Sequence, residues 1–173
     1  MSGDTRGFQV SIPRMTPSPG PGDSVAALRA PDVQGAFKGR TMGTAMVGTV
    51  LVVAHNSQPP AQDEWEHYCA LIDAFQGTGT AQLVLAEGPG PNAAQRQQAL
   101  NKVPKGFAIP PTAVFTRSAL VRGIVTLFNW FTPRSMRAFP PEDVAVAAVH
   151  LKMTETQLQH VLDVARALLP PDP

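Results

Sequence analysis

Gln82-Leu83-Val84-Leu85-Ala86-Glu87-Gly88-Pro89-Gly90-Pro91-Asn92-Ala93-Ala94-Gln95-Arg96 decides how this chain is read. A short apolar run stops at a Gly/Pro turn, and Asn92 with Gln95 three residues on opens a helix as a capping box. The same grammar returns in Thr112-Ala113-Val114-Phe115-Thr116-Arg117-Ser118-Ala119-Leu120-Val121-Arg122, with Ser118 as the cap. Short apolar runs that alternate with helices are the mark of strands buried on both faces. Parallel strands of this kind end together at one edge, where ligands or partners are met. The fold class is therefore α/β.

Working outward toward the N-terminus, Gln34 to Arg40 and Val47 to Asn56 predict two strands, a hairpin-like pair with Gly43 near the bend. Val50 to Ala54 is apolar throughout and belongs at the sheet centre. Asp63 and Glu66 predict a capping box for a helix after Pro59-Pro60, with Trp65, Tyr68, Cys69, Ile72 and Phe75 as its buried stripe. The helix opened by Asn92 runs to about Lys102. Its apolar content is thin (Ala93, Ala94, Ala99, Leu100), which predicts a well-exposed helix. Toward the C-terminus, Leu120, Val121, Ile124, Leu127, Phe128 and Phe131 form the core face of the helix after Ser118, with Val125 and Trp130 off it. Ser135 to Phe139 reads as a last strand. Pro140-Pro141-Glu142-Asp143 opens a helix to about Leu151. Thr154 with Gln157 caps a final helix carrying Leu158, Val161, Leu162, Ala165, Leu168 and Leu169 on one stripe.

The order β-β-α-β-α-β-α-β-α-α predicts a mixed, largely parallel sheet flanked by helices, with an extra C-terminal helix. Residues 31–170 form the expected single domain. Residues 1–30 are expected to be a flexible Pro/Gly-rich arm, in which Phe8 to Ile12 alternates as a lone strand would. From about Val33 to Leu151 the chain resembles the STAS / SpoIIAA-like (STAS/SEC14-like) family. The resemblance is carried by the loop Glu87 to Asn92, by Ser118 with Arg122 opening the next helix, and by Met136-Arg137-Ala138-Phe139 leading into an acidic-headed helix. It implies a non-enzymatic module that docks a partner or a small ligand at the strand-end edge. In the anti-sigma-factor antagonists the helix after this central strand opens with a serine that a kinase phosphorylates. Nothing between Ala81 and Pro111 is Ser or Thr here, so that switch cannot operate at this position.

Composition bounds the rest. The 173 residues carry a formal charge of +1, which gives no support for nucleic-acid binding. Cys69 is the only cysteine, so no disulfide framework or thiolate metal cluster is expected, and a reducing cytoplasm fits. Thr41 to Ala54 is uncharged but shorter than the roughly 20 residues a membrane span needs, and no secretory signal is read at the N-terminus. From Thr41 to Gln95 the charges are acidic, and from Gly88 to Pro141 they are all basic. That pattern suits either an ordinary mixed surface or a basic face for an anionic ligand.

Candidate chemistry gathers at the expected edge of Asn56, Glu87, Gly88, Gly90, Asn92, Arg96, Arg117, Ser118 and Arg122. Helix N-termini beside arginines suit an anion, although glycines that only make the turn explain the loop equally. Ser118 lacks the G-x-S-x-G flanks of a hydrolase nucleophile, so a serine hydrolase would need His55 within hydrogen-bond reach of it. His55, His67, His150 and His160 lack metal-site spacing, and neither metal nor cofactor is expected. Trp130 with Arg134 is a candidate protein interface. The C-terminal helix or the N-terminal arm offers a route to a homo-oligomer. Regulation or scaffolding through a protein partner is the expected function, and a carrier of small anionic ligands or lipid head groups is its alternative. An apolar cavity beside the edge would favour the carrier, whereas a filled core with an exposed aromatic patch would favour the interaction module.

Overall fold

A computed structural model describes residues 28–75, 78–103, 110–128 and 135–173. Phe8 to Ile12, Trp130, Phe131 and Arg134 lie outside these residues. Among the described residues, six strands form one sheet in chain order: β1 (Val33–Lys38), β2 (Met42–Val47), β3 (Val50–His55), β4 (Ala81–Ala86), β5 (Thr112–Phe115) and β6 (Met136–Phe139). The first two pairings are antiparallel and the remaining three parallel. This is the mixed, largely parallel sheet that the sequence predicts, with one more strand. The stretch Thr41 to Ala54 is itself a hairpin, paired from Met42↔His55 to Val47↔Val50. Its bend is not at Gly43, which lies inside β2 opposite Ala54. It is at Gly48-Thr49, where Gly48 takes φ +57° at the first loop position, as a type II′ turn requires. Both arms are buried on both faces, so no alternation marks them as two strands.

The helices are α1 (Gln62–Phe75), α2 (Ala93–Lys102), α3 (Ala119–Phe128), α4 (Val144–Leu151) and α5 (Glu155–Leu168). Capping boxes open α2 at Asn92 and α5 at Thr154, and the Ser118 Oγ accepts the Val121 N–H at 3.3 Å. Asp63 does not cap α1. The helix starts at Gln62, which places Asp63 and Glu64 in its first turn. Asp63 pairs with Arg40 at 2.7 Å in solvent. Glu64 turns inward instead and is 3% exposed. Its carboxylate accepts the backbone N–H groups of Arg40 (2.6 Å), Thr41 (3.0 Å) and Met42 (3.0 Å), and the Thr41 hydroxyl. Burial alone would push this carboxyl's pKa up. The hydrogen bonds from Thr41, Arg40 and Met42 outweigh that effect and hold it below the ordinary value. One buried carboxylate thus pins the β1–β2 loop to the start of α1.

The two faces of the sheet are packed differently. On one, α4 and α5 lie over a continuous core in which Val52, Leu83 and Phe115 meet Leu151, Leu158, Leu162 and Leu168. The apolar stripe of α5 is therefore used on its own sheet. On the other, α1, α2 and α3 cover two separate clusters. One centres on Met42, Leu51, Val53, Trp65 and Phe75, the other on Ala86, Val114, Val121 and Val125. Val125, expected off the stripe of α3, is 6% exposed because that helix buries a wider face than one row of positions.

Candidate functional site

Between those two clusters lies a cavity of about 240 Å³. Its floor is the sheet, with Leu51 and Val53 of β3, Val84 and Ala86 of β4, and Val114 of β5. Its walls are Trp65, Tyr68, Ile72 and Phe75 of α1, Ala99 and Leu100 of α2, and Val121 and Val125 of α3. Val84 packs against both clusters, yet it is only partly buried although it sits in a central strand. The sequence supplies the reason. Helix α2 brings Ala99 where a filled core would need a larger side chain, and its one buried residue is the polar Gln95. Polar clips seat this helix: the Trp65 indole N–H donates to the Gln95 carbonyl at 2.9 Å, and the Gln95 amide donates to the Pro60 carbonyl at 2.8 Å. A helix held by its backbone and one amide can stand off from the sheet without collapsing onto it.

Few polar groups reach this cavity, and most are committed. Gln82 donates its amide to the Tyr68 hydroxyl at 2.9 Å. Burial, only partly opposed by that bond, pushes the Tyr68 phenol up to about 12. The Ser135 Oγ also lines the space and has no hydrogen-bond partner among the described residues. His55, at the end of β3, is 4% exposed. Its Nδ1 approaches the Asn56 carbonyl at 3.4 Å, and nothing among the described residues bonds to Nε2. Burial lowers the pKa of this imidazole, the Asn56 bond opposing only in part, so the ring is neutral at physiological pH. The ring edge faces Gly90: a Cβ there would lie 3.9 Å from both Cε1 and Nε2.

The residues predicted for the strand-end edge separate into three groups. Gly90 and Arg96 line this apolar cavity beside His55, and the Arg96 Nη1 donates to the Pro91 carbonyl at 2.6 Å. Glu87, Arg117 and Ser118 line a second, more polar cavity of about 470 Å³ at the ends of β4 and β5, facing α5. There the Arg166 guanidinium is paired with Asp163 at 2.7 Å, and the Thr116 hydroxyl accepts the Ser118 N–H at 3.1 Å. Asn56, Gly88, Asn92 and Arg122 line neither cavity. Asn56 is fully buried, its amide donating to the carbonyls of Arg40 (3.1 Å) and Pro171 (2.9 Å) while its Oδ1 accepts the Gln58 N–H (3.0 Å). Gly88 packs against Asn56 and Ser57, Asn92 caps α2, and Arg122 donates to the Arg117 carbonyl at 3.0 Å.

His55 and Ser118 face different cavities and share no hydrogen bond. Among the described residues, no three His, Cys, Asp or Glu side chains converge as a metal site needs, and no helix is long and apolar enough to cross a membrane. Sequence reasoning missed Trp65, Val84, Gln82 and Ala99 as cavity walls. The one signal for them is the pairing of a small-residue helix with a central strand of modest side chains.

No protein-family model matches the chain, and comparison with curated proteins gives no match. Among solved structures, the chain is similar to an uncharacterized protein of the DUF3478 family with a SpoIIAA-like fold from Shewanella loihica PV-4. The TM-score is 0.47 and the identity 18%, over 69% of this chain and 91% of that one. The likeness is one of fold.

Proposed function

We propose that this chain is a non-enzymatic binding module for a small, largely apolar molecule held between the sheet and helices α1 to α3. The observation that carries this reading is the cavity itself. Among the described residues the core on that face falls into two clusters, and Val84 in the middle of the sheet is only partly buried. A void of this size among apolar side chains lowers stability in proportion to its volume, and an apolar occupant restores the lost contacts. The interaction reading would be favoured by a filled core, which the described residues of this face do not make. The test is titration with the neutral fluorophore phenylnaphthylamine, against the protein and against Ala99→Phe. Ala99 lines the cavity from a partly buried helix position, so the larger ring enters the void with little strain elsewhere. Probe affinity is expected to fall by about tenfold or more while the melting temperature holds or rises. Equal probe binding by both proteins would sink the reading.

A second reading, regulation through a protein partner, is favoured by α4. Val146 is 50% and Val149 79% exposed, three residues apart on one helix face. Changing both to Lys should release a co-purifying protein while leaving phenylnaphthylamine binding unchanged. Retention of that protein would remove α4 as its contact.

A further inference from the structure

We infer that the occupant of the apolar cavity is an uncharged hydrocarbon alcohol, its hydroxyl donating to Nε2 of His55 at the end of β3. The inference rests on the ligand-binding reading above and adds the chemistry of the ligand's polar end. His55, Val53 and Leu51 are alternate residues of β3, so all three side chains face the cavity. On the neighbouring strand, Ala86 pairs with His55 and Val84 with Val53, and both line the same space. From His55 to Leu51 the floor runs roughly 13 Å along the strand. Gly90 stands over the ring edge, where a Cβ would lie 3.9 Å from Cε1 and Nε2. Its φ of +74° disfavours any larger residue there, so the turn's middle position puts no side chain over Nε2.

Nδ1 of the neutral ring directs its hydrogen at the Asn56 carbonyl, 3.4 Å away, which leaves Nε2 as an acceptor. Among the described residues nothing donates to it, although the residue is only 4% exposed. An acceptor buried this far and left open costs stability until a donor reaches it. The occupant's polar end must therefore carry a hydrogen. A hydroxyl supplies one at a modest desolvation cost, whereas an ammonium adds the far larger cost of burying a charge. An ether, ester or ketone brings an oxygen without a hydrogen and would set two acceptors against each other. The Ser135 Oγ also lines the cavity without a partner among the described residues, but it precedes the start of β6. It thus lies toward the opposite end of the parallel strands from His55. A serine hydroxyl both donates and accepts, so it selects neither kind of ligand group; the His55 nitrogen selects a donor.

Octanol and its isomer heptyl methyl ether have the same atoms and differ in the hydroxyl hydrogen. Competition of each with phenylnaphthylamine for the full chain, at neutral pH, separates donor from acceptor. Octanol should bind about fivefold more tightly than the ether, the worth of one hydrogen bond in a buried site. The nitrogen NMR resonance of His55 Nε2 should move with octanol and stay in place with the ether. His55→Phe should erase the preference while both isomers and the probe still bind, and Ser135→Ala should keep it. Equal affinity of the isomers for the unaltered protein would overturn the alcohol assignment and leave the cavity reading standing. A preference lost in Ser135→Ala and kept in His55→Phe would overturn the placement at His55. Failure of octanol, heptyl methyl ether and phenylnaphthylamine alike to bind would overturn both readings.

Discussion

Replacement of Glu64 by Ala is expected to lower the free energy of unfolding by about 3–5 kcal/mol, the largest single loss foreseen for this fold. The substitution strands three backbone N–H groups, of Arg40, Thr41 and Met42, around a vacated carboxylate position. It also cuts the tie between the β1–β2 loop and the first turn of α1. Chemical denaturation measures the effect, and a loss below about 1 kcal/mol would show that the loop finds other acceptors. Glu64→Gln keeps one carbonyl acceptor and should lose roughly half as much. The same contacts set an acid limit. The folded carboxyl titrates below its ordinary 4.5, so its stabilisation is complete above that pH and fades as the pH falls below it. The Gln variant, with nothing to titrate at this position, should show a flatter stability profile in that acid range.

Gly88→Ala should cost about 2–3 kcal/mol. A Cβ on Gly88 would fall 2.5 Å from the Asn56 carbonyl oxygen and 2.6 Å from the Ser57 carbonyl carbon and oxygen. These are main-chain atoms, and no rotamer change relieves the clash. The segment leaving β3 must shift, and with it the Asn56 bonds to Arg40, Gln58 and Pro171. Thermal denaturation should show the loss, while phenylnaphthylamine binding at the cavity survives because Gly88 does not line it. An unchanged melting temperature with lost probe binding would instead place Gly88 against the ligand, as its position in the loop suggests from sequence.

What could be read from sequence follows the range of the interactions involved. The caps at Asn92, Ser118 and Thr154 are visible because a cap joins a side chain to a backbone group three residues away. The strands Thr112 to Phe115 and Leu83 to Ala86 stand out as apolar runs cut off by turns. The β2–β3 hairpin is hidden because both its arms are buried on both faces, which leaves two glycines as the only punctuation, and of these Gly43 lies within a strand while Gly48 makes the turn. Asn56 looked like an edge residue because its partners lie 16 and 115 positions away. Glu64 could not be distinguished from its neighbour Asp63, since a one-residue shift in the start of α1 decides which acid faces inward. The cavity is a shortage of side-chain volume, and composition records such a shortage only as a helix poor in large apolar residues. That sign was present in α2 and pointed to exposure; it also marked an unfilled interior.

The bond from Asn56 to Pro171, and the cover that α5 gives to β2, β3 and β4, bear on how the molecule is made. A ribosome delivers the strands before their covering helix. Until that helix is made, the nascent sheet carries Val52, Ala54 and Leu83 without the cover of α5. The larger core closes only when Leu158 to Leu168 has cleared the exit tunnel, so the folding of this domain waits on the synthesis of α5. A messenger truncated before that helix would yield an apolar sheet open on one side, a form better suited to capture by chaperones or proteases than to any function of the folded domain.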